Sequence, residues 1–519
     1  MSTASEAGQP DDIATGSSSP AIGFLLVSVF SLVVCAALAW APQLLGDPDT
    51  YWHIAAGDWI LRHGRIPHVD PFSYTFAGQP WTAHEWLSEV FMALAYRAGG
   101  WGGVMALAAA AFGATLAIAG HALRKWLAAP ALMGVLVFTA LGAAPSLLAR
   151  PHLLAAPVFV AWLVGLLAAR EANKSPSLWL LPLMVLWANL HGSFILGLCM
   201  IAVFALEALM QNAGQWLRQL RGWALFGFGA IGAALLTPHG VAGLIFPIKV
   251  MGMSTLPIIA EWRSADFSHV SIFEIVLLEG LFLTHWLGVR VPVVRLLLVL
   301  GFLHLALAHQ RHQLLFVFSA ALILAEPVAA ALASRAGRPI VKPPLRPQPR
   351  AWAPLLAVAL VAAASLRIAL PVERKDNISP REALAAVDPA LQKLPVFNEY
   401  DFGGFLIFNA VKPYIDGRAD LYGDRFVARY SEVVGSRGVE GLQELDKRGV
   451  AWTILRPTSP MVVALDNSRE WRRLSADPTA VVHVRIAPGF PHAPPAGSPT
   501  AGASKIGVDS LGAGQTPQA

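Results

Sequence analysis

Charge is what this sequence has least of. Of 519 residues only 14% are Asp, Glu, Lys or Arg, against 55% hydrophobic, and the mean hydropathy is +0.54. A water-soluble chain of this length needs a much more charged surface, so a soluble globular protein is excluded and a polytopic membrane protein is implied. The formal net charge of +5 is scattered, which leaves no basic stripe for nucleic acid; it reads instead as loop charge that orients spans. Cysteine is nearly absent. Cys35 and Cys199 each sit in an apolar run without a CxxC or a neighbouring histidine, which excludes a disulfide framework and a zinc site. The first basic residue is Arg62, so the positive n-region of a signal peptide is missing. Residues 22–44 therefore read as a retained first span, despite Ala39-Trp40-Ala41. No Walker, G-x-S-x-G or H-E-x-x-H motif occurs in a usable context, and no nucleotide site is expected.

What is present is a series of apolar runs, at about 22–44, 86–98, 101–121, 127–149, 153–169, 177–190, 194–211, 222–237, 271–288, 292–308, 313–333 and 351–371. The expected fold is mainly α, a polytopic transmembrane helical bundle of about 11–13 spans with a small C-terminal periplasmic α/β domain. Residues 1–20 are polar and read as a disordered cytoplasmic N-terminus, 21–371 as the membrane domain with a first periplasmic loop at 45–83, 372–486 as the α/β domain, and 487–519 as a disordered tail. Within the α/β domain VFNEY, PYIDGR, AWTILR and VVHVRI predict strands, and DRFVARYSEVV and GLQELDKRG predict helices.

Orientation follows from the loops. Arg335, Arg338, Lys342, Arg346 and Arg350 form a basic run without an acid, a cytoplasmic signal for a protein of the bacterial inner membrane. The loops carrying Arg290 and Arg295, Arg218 and Arg221, and Arg170 and Lys174 agree with it. The alternate connections and the C-terminal domain are then periplasmic. Residues 84–149 resist this alternation, because three runs there give the wrong parity. Splitting 127–149 into two short helices restores it at 13 spans, but leaves Arg124 and Lys125 outside.

Four polar groups gather on the periplasmic side. In GDPDTYWH, Asp47 and Asp49 meet the membrane surface together, either as a solvated span end with a helix cap or as a general base or divalent-metal ligand; His53 closes the motif. His84 and Glu85 open the next helix, where an acid also suits the helix dipole. Arg150, His152, Asn189, His191, His239, Glu261, Arg311 and His312 recur at span ends on one face, as would residues lining a pocket for an anionic head group. In NEYDFGGFLIF, Tyr400 is a candidate substrate contact, and in IDGRADLYG, Asp416, Arg418 and Asp420 are either substrate contacts or members of a salt-bridged turn.

Taken in order, DPDTYWH, HEW, RPH, WANLHG, PHG, HQRH, EYDFGGFLIF and DGRADLYG resemble bacterial members of the GT-C superfamily of integral-membrane glycosyltransferases, over about residues 22–486. The resemblance implies transfer of a sugar from a polyprenyl-phosphate-linked donor to a periplasmic or lipid acceptor. It places the catalytic carboxylate at Asp49, with Asp47 beside it and Glu85 as a second acid, and it allows a divalent metal, Mg or Mn, at Asp47 and Asp49. The implied partners are the lipid-linked donor, a glycan, lipid or protein acceptor, and the membrane, with no nucleic acid. The chain lacks the WWDYG-type signature of oligosaccharyltransferases and an adjacent Asp-Glu pair in the first loop, which argues against asparagine glycosylation and protein O-mannosylation. A transporter or flippase for a lipid-linked anion, or a non-catalytic envelope assembly factor, would share the same polar face.

Overall fold

The computed structural model of the chain describes residues 20–211, 213–259, 262–337, 352–374 and 378–486. Twelve-residue and longer apolar helices dominate, and among the described residues six helical segments are long and apolar enough to cross a membrane. Helix α1 (Pro20–Ala39) is followed by α2 (Asp49–His63), which is amphipathic and begins where the Asp47 carboxylate accepts the Asp49 backbone N–H at 2.7 Å. Glycine 64, at φ 63°, ends α2 in the left-handed conformation.

Helix α3 (Trp86–Leu123) resolves the parity problem. It is broken at Gly99 and at Gly100, whose φ of 55° with ψ of −142° is open essentially to glycine alone. The first part, through residue 98, crosses α2, with the Gly57 Cα against the Glu89 carbonyl and Arg97 paired to Asp58 at 2.6 Å. Only the second part packs as a bundle helix against α1. The run 86–98 is therefore an element at the α2 end and not a span. Nor does 127–149 split: α4 (Ala129–Ala143) is one helix, because Pro130 sits in its first turn, where no N–H is needed, and Pro145 falls in the turn after it. The 13-span alternative is thus corrected. Lys125 pairs with Glu171 at 2.6 Å and Arg124 lies beside Gly23, which puts both basic residues at the end of the bundle opposite α2.

The remaining bundle helices alternate between the two ends: α5 (Pro151–Glu171), α6 (Leu181–Leu190), α7 (Phe194–Gln211), α8 (Trp216–Ala234), then a short α9 (Gly240–Met251) at the α2 end, α10 (Ile272–Leu287), α11 (Val293–Ala308), α12 (Gln313–Arg335) and α13 (Trp352–Ala369). Phe228, Leu278, Phe282, Leu297 and other large apolar side chains remain exposed on α8, α10 and α11, as expected of helices that face lipid. This is a multi-pass membrane protein.

The C-terminal domain is small and α/β. It contains α14 (Arg381–Ala385), α15 (Pro389–Gln392), α16 (Gly403–Phe408), α17 (Ala419–Val434), α18 (Val439–Lys447) and α19 (Pro460–Asp466) around strands β1 (Val396–Asn398), β2 (Trp452–Leu455), β3 (Trp471–Ala476) and β4 (Val481–Arg485). The sheet order is β1-β2-β4-β3, with β1 and β2 parallel and the other pairs antiparallel. PYIDGR, expected as a strand, is not one. Its backbone is held instead by the Asn398 side chain, which accepts from the Tyr414 N–H and donates to the Ile415 carbonyl, both at 2.8 Å. Strand β3, with two adjacent arginines, carried no alternating pattern to announce it.

This domain sits on the start of α2. A Cβ at Gly404 would overlap the Pro48 carbonyl, and one at Gly417 would overlap the Asp49 carboxylate, so these glycines permit backbone contact between the two parts.

Candidate functional site

Two polar assemblies form where the C-terminal domain meets the bundle. The first is closed. Arg418 donates to Asp416 through Nε at 2.8 Å and Nη2 at 2.7 Å, and to Asp70 of the first loop through Nη1 at 2.7 Å. The Tyr422 hydroxyl donates to Asp416 at 2.6 Å, and the guanidinium lies 4.8 Å from the Trp81 ring centroid. Asp416, Arg418 and Asp70 are all buried, so the first two form the salt-bridged turn and tie the C-terminal domain to the first loop. Tyr400 lies inside the same domain, its ring 6.4 Å from that of Tyr430.

The second assembly is a cavity of about 140 Å³ between the bundle and the α17 end of the C-terminal domain. Its polar lining is His84, Glu85, Arg150, His191, Arg311, His312 and Asp420. Apolar side chains line it as well, among them Leu196, Phe246, Val250, Met251, Leu256 and Leu305, and the Phe246 ring lies 4.4 Å from that of His84. Span ends place the polar groups: Arg150 is the extended residue before Pro151 starts α5, and His191 ends α6 in an extended conformation. Arg150 and His191, expected to return to one side, line one cavity.

Glu85 is the electrostatic centre. Its Oε1 lies 3.5 Å from His84 Nε2 and 3.3 Å from His191 Nε2, and its Oε2 lies 4.0 Å from His53 Nε2. Burial opposes its ionisation, but the His84 charge and hydrogen bond, first among its neighbours, hold its carboxyl well below the ordinary range. Burial also lowers His84, yet the neighbouring Glu85 charge and hydrogen bond outweigh it and leave His84 raised. His53 is driven down to about 3 by burial and His191 well below its ordinary value for the same reason, so both are neutral at pH 7. In His191 the Ser193 backbone N lies 3.1 Å from Nδ1, and Arg311 Nη2 lies 3.2 Å from Nε2, so a guanidinium and an imidazole meet at one point of the cavity. The Arg311 guanidinium is seated 4.4 Å over the Trp262 ring.

Asp47 and Asp49 border the cavity without lining it. Arg150 Nη1 donates to Asp47 Oδ2 at 3.0 Å and Nη2 to Asp49 Oδ2 at 2.5 Å. Arg374 Nη2 donates to the Asp47 carbonyl at 2.7 Å. Among the described residues no group of three or more His, Cys, Asp or Glu side chains is arranged to hold a metal ion. The aspartate pair is organised around a guanidinium, and the donor set does not fit a resident divalent ion. His152 is adjacent, bonded to the Ser146 carbonyl at 2.8 Å, with its ring 6.3 Å from that of His191. Asn189 is turned away. Its oxygen accepts from the Trp86 indole at 2.7 Å and its amide donates to the Val185 and Leu236 carbonyls. His239 packs beside His68 outside the cavity lining, and Glu261 falls outside the described residues.

Sequence reasoning passed over Glu89, buried 3.6 Å from His53 Nδ1, and did not separate Asp420 from its salt-bridged neighbours. The signal for Glu89 was there: an acid one helical turn after Glu85 returns to the same face.

No protein-family model and no curated protein matches this chain. Solved structures do. The apo oligosaccharyltransferase of Archaeoglobus fulgidus superposes with a TM-score of 0.54 at 12% identity, over 83% of this chain and 69% of that one. The same enzyme tethered to an acceptor peptide containing the NVT sequon gives 0.52 at 12% identity, over 83% and 68%. This chain has the GT-C fold. ArnT from Cupriavidus metallidurans bound to undecaprenyl phosphate is also similar, with a TM-score of 0.48 at 14% identity, over 91% of this chain and 100% of that one. At such identities the likeness concerns the GT-C fold, and activity has to be argued from the site.

Proposed function

We propose that this protein is a GT-C glycosyltransferase that moves a sugar from a polyprenyl-phosphate-linked donor to an acceptor hydroxyl on the periplasmic face of a bacterial inner membrane. The observation that carries the reading is the lining of one cavity: Arg150, Arg311, His84 and His191 share it with apolar side chains from α7, α9 and α11. A lipid phosphate has that polarity. Arg150, Arg311 and His84 would neutralise its charge, and the apolar side chains would take the first isoprene units. Departure of the phosphate from the sugar carbon builds negative charge on oxygen, and fixed guanidinium groups next to it stabilise that charge.

Asp47 and Asp49 act in this scheme by holding Arg150. Both carboxylates engage its guanidinium, and Asp49 is pressed against Gly417, so the pair orients the cation and the base lies elsewhere.

The test uses the protein in nanodiscs with a polyprenyl-phosphate monosaccharide and a soluble or lipid hydroxyl acceptor. Release of polyprenyl phosphate that depends on acceptor is expected, and Arg311→Ala should weaken donor binding by about 10-fold or more, the weight of a hydrogen bond to a charged group. Unchanged donor binding in Arg311→Ala, with the fold intact, would overturn the phosphate assignment. Movement of intact donor across the bilayer without sugar transfer would favour the flippase reading.

A further inference from the structure

The cavity has an acid that nothing in the site consumes. Asp70 and Asp416 are locked on Arg418, Asp47 and Asp49 on Arg150, and Glu85 among three histidines. Asp420 differs from all of these. It lines the cavity from the first turn of α17, it is half-buried, and among the described residues its carboxylate has no ion-pair or side-chain hydrogen-bond partner. Its placement is rigid, because the turn just before it is the Asp416–Gly417–Arg418 segment, pinned by Arg418 to the first loop. The closed salt-bridge assembly thus has a consequence: it sets one unpaired carboxylate into the wall of a cavity whose other polar groups are cationic or held by partners.

Resting on the glycosyltransferase reading above, we propose that Asp420 is the general base, supplied by the C-terminal domain. It accepts the proton of the acceptor hydroxyl. As that O–H bond breaks, the oxygen attacks the anomeric carbon, the bond from that carbon to the phosphate oxygen breaks, and its electron pair leaves on the phosphate beside Arg150 and Arg311. The products are the glycosylated acceptor, polyprenyl phosphate and protonated Asp420, and the sugar carbon is inverted. The charges facing Asp420 are those of His84 and Arg418, which favour its anion, and of Glu85, which opposes it. Burial outweighs them and raises its carboxyl above the ordinary carboxylate range, toward the basicity a general base needs. It follows that the acceptor enters between the C-terminal domain and the bundle.

The experiment compares wild type, Asp420→Asn and Asp420→Glu in nanodiscs, measuring transfer across pH, binding of polyprenyl phosphate, and thermal unfolding. Asp420→Asn should lose about 10²–10⁴-fold in kcat while binding polyprenyl phosphate as wild type does. Asp420→Glu should retain transfer with a shifted acid limb of the pH profile. Transfer in Asp420→Asn within threefold of wild type would overturn the proposal while leaving the function intact. An Asp420→Glu profile with an unmoved acid limb would overturn it too. If wild type itself transfers nothing from any polyprenyl-phosphate sugar, the functional reading fails, and this proposal with it.

Discussion

Replacing Arg418 with leucine tests how the C-terminal domain is held. Arg418 is 1% exposed and faces two carboxylates, Asp416 and Asp70, themselves 0% and 2% exposed. Removing the guanidinium leaves both acids buried and uncompensated. Breaking a buried ion pair from one side costs about 3–5 kcal/mol, because the orphaned charge keeps its desolvation penalty. At about 1.4 kcal/mol per tenfold, local opening should become roughly 10²–10⁴-fold more frequent. The amides that report it are those bonded to the acids: Phe72 and Ser73 donate to Asp70 at 3.0 and 3.1 Å, and Arg418 N donates to Asp416 at 3.0 Å. Hydrogen exchange followed by mass spectrometry in nanodiscs reads them directly, with the β3–β4 ladder as the unaffected reference. A triple variant, Arg418→Leu with Asp70→Asn and Asp416→Asn, removes every charge and keeps an oxygen acceptor at both positions. It should recover most of the protection, since it is the orphaned charges that cost, not the loss of the pair. If Arg418→Leu alone exchanges at wild-type rates over 70–76 and 414–422, the assembly does not hold the domain and the reasoning is wrong.

Gly417→Ala should separate the domain from α2, because the added methyl must displace the Asp49 carboxylate and with it Arg150; donor binding and transfer should both fall, and a crystal or cryo-EM structure with Asp49 unmoved would contradict this. Stability should decline as pH falls from 6.5 toward 4.5. His53, at about 3, stays neutral in the folded chain over that window while the unfolded chain protonates it, so its stability is full above 6.5 and is lost below it, by about 1.4 kcal/mol per unit; His191, also pushed down by burial, acts in the same direction. His84, raised in the folded state, opposes the decline near 6.5 and ceases to do so once the unfolded chain is protonated as well; His53→Gln should remove one proton's share of the dependence in thermal melts, and an unchanged slope would refute the assignment. Cysteines placed at Ser175 and Ser468 should label from opposite sides of intact inner-membrane vesicles, Ser175 with Lys125 and Glu171 at the cytoplasmic end; Ser175 labelling from the periplasmic side and Ser468 from the cytoplasmic side would invert the proposed orientation, and labelling of both from one side would overturn the span count between them.

The membrane class, the C-terminal α/β domain and the face on which the polar residues collect were legible in the sequence, because each is a property of composition or period. Apolar length is set by bilayer thickness, basic loops by the positive-inside rule, and a change from helical to strand period marks the new domain. Residues at span ends on one side must be near one another in depth, which is why Arg150, His191, Arg311 and His312 could be grouped before any coordinates. The tertiary structure decided which partners each group has. Asp49 looked like a base because of where it lies along the chain; that Arg150 occupies it depends on a contact between residues 101 apart. Asp416 and Asp420 sit four positions apart, at the turn into α17, yet one is sealed against Arg418 and the other faces the cavity. No local pattern separates them, because the partner that makes the difference, Asp70, comes from the far end of the sequence. The break at Gly99 and Gly100 likewise turned an apolar run into a surface helix, a choice that depends on α2 being there to receive it.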